Sequence, residues 1–199
     1  LKVCNIDQGS VYYKKQKISE LNGKRLDEFR NQVQVIFQDP SASLNPNQTV
    51  EKILSEGISF HKILESKSQI KSRVIELLEN VNLDKCYLKR YPHELSGGQK
   101  QRLCIARAIS LNPKLIVCDE AVSALDISTQ NTIIKLLNNL KKQLKLSYLF
   151  ITHDLSVARL IADRILVLKN GEIVELNTTE KIFKSPKNSY TKELVSALN

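Results

Sequence analysis

The stretch Leu95-Ser96-Gly97-Gly98-Gln99 decides how the rest of this chain is interpreted. Its serine and glutamine have the spacing of a capping box, in which each side chain bonds the other residue's backbone N–H at a helix start. The two glycines let an anion approach the backbone closely, and a helix N-terminus presents free N–H groups to it. The stretch therefore predicts an anion-binding helix N-terminus, and taken alone it is equally compatible with an ordinary glycine-containing cap.

Twenty residues further along, a second stretch favours the anion-binding site over the ordinary cap. Leu115–Cys118 is uniformly apolar, which suits a central strand buried on both faces of a parallel sheet, and Asp119 and Glu120 follow it at once. In this Walker B arrangement the aspartate would hold Mg²⁺ and the glutamate would polarise an attacking water. Two acids after a strand are otherwise a solvated strand end or a helix cap.

Two more predicted strands end in polar residues. Residues 33–37 run into Gln38, and residues 148–151 run, after one threonine, into His153. Open α/β sheets bind ligands beyond the carboxyl ends of their strands. Three such endings in one chain indicate a shared site.

The remaining pattern predicts an α/β protein, because strands alternate with helices. We expect core parts at 1–45 and 110–180, an inserted helical subdomain at 46–109 and a tail at 181–199. Further predicted elements are a hairpin arm or an edge strand at 11–18, helices at 26–30, 129–144, 155–162 and 189–198, and a hairpin at 165–175 with a turn at Asn170-Gly171.

Composition limits the classes of function. The 199 residues are 42% hydrophobic and 26% charged, as in an ordinary globular domain, and the apolar runs are far shorter than the roughly 20 residues that span a bilayer. We therefore expect membrane association only through a partner. The net charge of +9 raises the question of nucleic acid, but the lysines are scattered and not interleaved with aromatics, so no nucleic-acid partner is expected.

The four cysteines are widely spaced and form no CxxC pair. We therefore predict neither a disulfide framework nor a zinc site, and interpret them as free thiols in a reducing cytosol. They are Cys4, Cys86, Cys104 and Cys118.

With these motifs in order, the chain closely resembles the nucleotide-binding subunits of ABC transporters over nearly its whole length. The motifs that carry the resemblance are the Q-loop at 37–40, the signature at 95–99, Walker B at 115–120, the D-loop at 123–126 and the H-loop at 152–154. The stretches at 43–46, 91–94, 120–123 and 185–191 are similar to those of oligopeptide and dipeptide importers. Nickel and glutathione importers share them.

The resemblance implies a P-loop NTPase cassette that binds ATP and Mg²⁺ and hydrolyses ATP. It implies catalytic roles for Glu120 and His153 and metal binding by Asp119 and Gln38. The implied nucleotide-binding residues are Gln38, Ser96, Gly97, Gly98, Gln99 and Asp126, with the signature closing over the γ-phosphate held by a partner cassette and Asp126 crossing the dimer interface.

The resemblance also implies partners and location. We expect a second cassette, in a heterodimer, and transmembrane permease subunits, with an extracytoplasmic solute-binding protein acting indirectly. The subunit would be peripheral, on the cytoplasmic face of the cell membrane.

One family motif, the phosphate-binding Walker A sequence G-x-x-x-x-G-K-[ST], does not occur in the sequence. Gly23-Lys24 is followed by Arg25 and has no glycine five residues earlier, and the chain starts at Leu1 with no methionine anywhere. We therefore expect a chain truncated at its N-terminus, lacking the P-loop strand and most or all of its helix, the end of which could reach 1–4. Enzyme activity is left open, because this loop holds the β- and γ-phosphates. The alternatives are an inactive remnant and a soluble ABC-type ATPase acting on nucleic acid or the ribosome.

Overall fold

The computed structural model describes residues 8–198. The expected P-loop helix end at 1–4, and Cys4 with it, lie outside this range. The strands are β1 (Tyr12–Tyr13), β2 (Gln16–Lys17), β3 (Val33–Ile36), β4 (Leu115–Asp119), β5 (Ser147–Ile151), β6 (Arg164–Lys169) and β7 (Glu172–Thr178). The helices are α1 (Gly23–Gln32), α2 (Pro40–Ser43), α3 (Val50–Phe60), α4 (Lys67–Asn80), α5 (Gly97–Ile109), α6 (Ile127–Leu144), α7 (Leu155–Ile161), α8 (Thr179–Lys184) and α9 (Ser189–Ser196).

A parallel sheet in the order β3-β4-β5 confirms the predicted α/β core. The central strand β4 pairs on both sides, and its residues Ile116 and Cys118 are fully buried. Leu115 and Val117, on the other face, are only partly buried, so the predicted burial is complete on one face of the strand and not on the other. The three strands run in the same direction, so their carboxyl ends meet at one edge of the sheet.

Helices α3, α4 and α5 pack against one another and account for the helical stretch predicted between the sheet strands. Caps fix where they begin: the Thr49 side chain caps α3, and Ser66 with Gln69 forms a capping box at the start of α4. One hydrophobic cluster runs from Leu54 and Leu77 in these helices to the sheet. The helical stretch and the sheet therefore share a core.

The chain then forms an antiparallel hairpin, β6–β7, as the Asn-Gly pair predicted. Asn170 and Gly171 have φ values of 51° and 82°, the left-handed conformation that a tight two-residue turn requires. One face of the hairpin packs on α8 and α9 through Ile165, Val167 and Ile182.

Apolar side chains remain exposed on the other face of this hairpin and on β5. Leu149 and Ile151 of β5 are 54% and 47% exposed, and Leu168 of β6 is 56% exposed. Within residues 8–198, no helix is both long and apolar enough to cross a membrane.

Candidate functional site

The carboxyl ends of β3, β4 and β5 bring four of the sequence-predicted residues to one edge of the sheet. We call Gln38, Asp119, Glu120 and His153 the sheet-end cluster. Glu120 directly follows β4 and has φ of +47°, in the left-handed region that non-glycine residues seldom adopt. Its N–H bonds the carbonyl of Ile151 at 3.0 Å, which holds this conformation against the end of β5. Such strain is often found at functional sites.

Glu120 is the hub of the cluster. Gln38 Nε2 donates to Glu120 Oε2 at 2.8 Å, and His153 Nδ1 lies 3.1 Å from Glu120 Oε1. The Glu120 side chain is 28% exposed and that of His153 is 71% exposed, so the carboxylate stays open to solvent. With a proton on Nδ1, His153 donates to Glu120 and leaves Nε2 free for a ligand.

Asp119 and Gln38 supply the oxygens that a hard cation prefers. Asp119 is exposed at the end of β4, and its carboxylate has no hydrogen-bond partner within residues 8–198. The bond to Glu120 uses the Gln38 amide nitrogen and leaves its oxygen available. The described residues contain no group of three or more His, Cys, Asp or Glu side chains that could hold a metal ion. Two oxygen ligands fit Mg²⁺, which usually takes one or two protein ligands and completes its shell with water and substrate phosphates.

Cys118 lies in β4, directly behind the cluster, and is fully buried. Burial raises the pKa of its thiol to about 12, so it is not a thiolate at neutral pH. The cysteines among residues 8–198 are all free thiols, as predicted.

The predicted capping box at residues 95–99, which we call the signature turn, is present. Ser96 Oγ accepts from the Gln99 N–H at 3.3 Å, and Gln99 Oε1 accepts from the Ser96 N–H at 2.9 Å. The first N–H groups of α5 belong to Gly97 and Gly98 and have no acceptor within the helix. The turn therefore presents two N–H groups and the Ser96 hydroxyl to a ligand.

The Gln99 side chain also has a partner that the sequence did not reveal. Its Nε2 donates to the hydroxyl of Tyr87 at 2.8 Å, from a 3₁₀ turn that spans Lys85–Lys89. Both ends of the Gln99 amide are thus bonded within its own chain. In this conformation Gln99 builds the turn, and the nucleotide contact that the family resemblance implies for it stays a prediction.

Asp126, predicted to bind nucleotide across a dimer interface, has a local role in the structure. It caps α6, where its Oδ1 accepts from the Thr129 N–H at 2.9 Å. This N–H holds the pKa of the exposed Asp126 carboxyl below its usual range.

The loop that carries Gln38 is attached to the helix that carries the signature turn. Asp39 caps the single turn α2, accepting from the Ser41 N–H at 2.7 Å, and Pro40 occupies the first helical position. Lys100 of α5 donates to Ser41 Oγ at 3.2 Å, and Arg107 of α5 donates to the Ser43 carbonyl. No helix was predicted at 40–43, although an Asp-Pro pair is a helix-start signal.

Known proteins share sequence with this chain over nearly its whole length. The family model described as ABC transporter matches residues 1–123. The chain is 46% identical to the oligopeptide transport ATP-binding protein OppF of Streptococcus mutans, over 100% of this chain and 64% of OppF. It is 42% identical to the dipeptide transport ATP-binding protein DppF of Lactococcus lactis, over 97% of this chain and 62% of DppF. The chain thus spans less than two thirds of the length of these relatives.

Solved structures show the same fold. The cassette MJ0796, in a dimeric post-hydrolysis state bound to ADP and Pi, has a TM-score of 0.75 and 31% identity, over 87% of this chain and 74% of that one. CbiO1 of Clostridium perfringens, part of the transporter complex CbiONQ, has a TM-score of 0.81 and 25% identity, over 99% of this chain and 74% of that one.

Proposed function

The chain belongs to the ABC transporter family, and on that premise we propose that it is part of an ATP-hydrolysing subunit that energises the import of oligopeptides or dipeptides. The observation that carries the proposal is the convergence of Gln38 and His153 on the Glu120 carboxylate. In this arrangement the Glu120 carboxylate is held from both sides and can act as a base toward water. The names of OppF and DppF favour peptides as the solute.

In the proposed reaction, water attacks the γ-phosphorus of ATP, and the bond to the β–γ bridging oxygen breaks to give ADP and phosphate. Glu120 accepts a hydrogen bond from the attacking water and polarises it. Gln38 and His153 keep the carboxylate oriented, and His153 Nε2 is available to the γ-phosphate. Asp119 and the Gln38 oxygen would hold Mg²⁺, which neutralises charge on the phosphates.

We further propose that the signature turn acts on a nucleotide bound by a second cassette. Its N–H groups and the Ser96 hydroxyl are suited to the γ-phosphate, because a helix N-terminus favours negative charge. The MJ0796 dimer supports a two-cassette arrangement for this fold. In this proposal the second cassette is a different chain, Asp126 lies at their interface, permease subunits form the membrane pathway, and a solute-binding protein delivers the peptide. The subunit sits peripherally on the cytoplasmic side.

The test is ATP-driven uptake of a labelled oligopeptide by vesicles that contain the full-length subunit and its permease partners. We expect Asp119→Asn to abolish uptake, while Asp27→Asn, an exposed acid on α1, leaves it unchanged. Uptake unaffected by Asp119→Asn would contradict the proposal. Uptake of glutathione without uptake of oligopeptides would change the proposed solute to glutathione. Glutathione is the solute in the name of GsiA of Salmonella typhimurium, which is 43% identical to this chain.

A further inference from the structure

The N-termini of α5 and α6 approach each other closely at Gly98. A β-carbon placed on Gly98 would lie 2.8 Å from Thr129 Cγ2, closer than carbon atoms of folded proteins pack. The same addition at Gly97 would lie 3.9 Å from Leu125 Cδ2, an ordinary contact. The two glycines of the signature turn are therefore not equivalent: only Gly98 has no room for a side chain within its own chain.

The backbone of Thr129 is held in place at the start of α6. Its β-branched side chain is limited to two main χ1 rotamers in a helix. Its N–H is bonded to the capping carboxylate of Asp126 at 2.9 Å. The next residue, Gln130, donates from its side chain to the Val122 carbonyl at 3.2 Å, which braces the turn before α6. These bonds hold the backbone at the start of α6 and so place the Thr129 methyl beside Gly98.

We propose that Thr129 is a positioning residue for the signature turn, setting the distance between the N-termini of α5 and α6 through its contact with Gly98. This role rests on the proposed function, because the turn is positioned for a phosphate. Glycine is required at 98 by a helix contact in the same chain. At 97 the fold leaves space, so any demand for glycine there comes from the ligand.

Two readouts and a rescue variant test the proposal. Alanine has a higher helix propensity than glycine. Without the contact with Thr129, Gly98→Ala would therefore raise the melting temperature. We expect it instead to lower the melting temperature of the full-length subunit by about 3–8 °C, as overpacking does. Gly97→Ala is the matched control for stability and should cause no loss. Thr129→Ser removes only the methyl, so the double variant Gly98→Ala/Thr129→Ser should recover the melting temperature.

The second readout is kcat for ATP in the assembled transporter, measured well below every melting temperature so that all variants are folded. Gly98→Ala should lower kcat about 10–100-fold, because misplacing a ligand-facing group by about an ångström has effects of that size. The affinity of the subunit's own site for a fluorescent ATP analogue should not change. The double variant should recover kcat to within about threefold of Thr129→Ser alone.

A restored melting temperature with kcat still low would overturn the proposal, since Gly98 would then be required by the ligand itself. An unchanged melting temperature and kcat in Gly98→Ala would overturn it as well. If the wild-type assembly hydrolyses no ATP, the proposed function and the positioning role both fail. The melting temperatures would in that case still decide whether the helix contact exists.

Discussion

In the sheet-end cluster, Glu120 is held by partners 82 and 33 residues away in sequence, whereas in the signature turn Ser96 and Gln99 hold each other across three residues. The first arrangement exists only when three separate strands have formed a sheet. The second is specified by local spacing and forms with its helix. The difference indicates that replacing Glu120 should affect chemistry more than stability, and that replacing Ser96 should affect both.

Replacement of Glu120 tests whether the sheet-end cluster serves chemistry more than stability. Glu120→Gln should lower kcat for ATP about 10²–10⁴-fold, the range attributed to a lost general base, in the assembled transporter. The free energy of unfolding in urea should change by less than about 1 kcal/mol, because Glu120 is partly solvated and glutamine still offers an amide oxygen to Gln38. Glu65→Gln, an exposed residue with no contact to the cluster, is the control and should change neither quantity.

A buried glutamate outside both regions provides a structural contrast to Glu120. Glu175 of β7 is 8% exposed, and its carboxylate accepts from the N–H groups of Lys187 and Asn188 at 3.0–3.2 Å. Burial alone would raise its pKa, but the N–H groups of Asn188 and Lys187 hold the pKa below its usual range. These bonds fasten the segment before α9 to the hairpin, so Glu175 has a structural role.

Glu175→Gln should therefore lower the free energy of unfolding by about 1.5–3 kcal/mol at neutral pH and leave kcat unchanged. Because the pKa is lowered in the folded protein, this stabilisation is present above the ordinary glutamate pKa of about 4.3 and is lost as the pH falls through the folded value. Urea unfolding of wild type and variant at several pH values measures the difference between their free energies of unfolding. A difference that grows on acidification would contradict the structural role of the Glu175 carboxylate.

Two matching helix caps separate the contribution of a serine to stability from its contribution to catalysis. Ser66 with Gln69 and Ser96 with Gln99 form the same capping box on α4 and α5. Ser66→Ala and Ser96→Ala should each cost about 1 kcal/mol in urea unfolding. Only Ser96→Ala should also lower kcat, since only that hydroxyl faces the proposed phosphate site. Equal kcat values for the two variants would mean that the Ser96 hydroxyl of the signature turn has no part in catalysis.

Sequence predicted the parts of the molecule that depend on local spacing. The capping box at Ser96, the apolar strand before Asp119 and the Asn170-Gly171 turn follow from residue types over a few positions, and the structure has all three. The polar endings of three strands also predicted a shared site, because parallel strands end at the same edge.

The contacts between distant segments could not be predicted in this way. The bond from Gln99 to Tyr87 and the close approach of Gly98 to Thr129 depend on how α5 packs against its neighbours. No spacing rule encodes that packing in a single sequence. The same holds for Glu120, whose hydrogen-bond partners are defined only once the sheet has formed.

We propose that His153 contributes to hydrolysis mainly by orienting the Glu120 carboxylate, and less by contact of its Nε2 with the γ-phosphate; a double-mutant cycle on kcat separates the two roles. Glu120→Gln, His153→Ala and the double variant would be compared with wild type in the assembled transporter, at saturating ATP. Residues that act as a unit are strongly non-additive. We therefore predict that adding His153→Ala to Glu120→Gln lowers kcat by less than about threefold. If the kcat losses of the two single variants multiply in full, the two residues work independently and Glu120 is not the hub of the site.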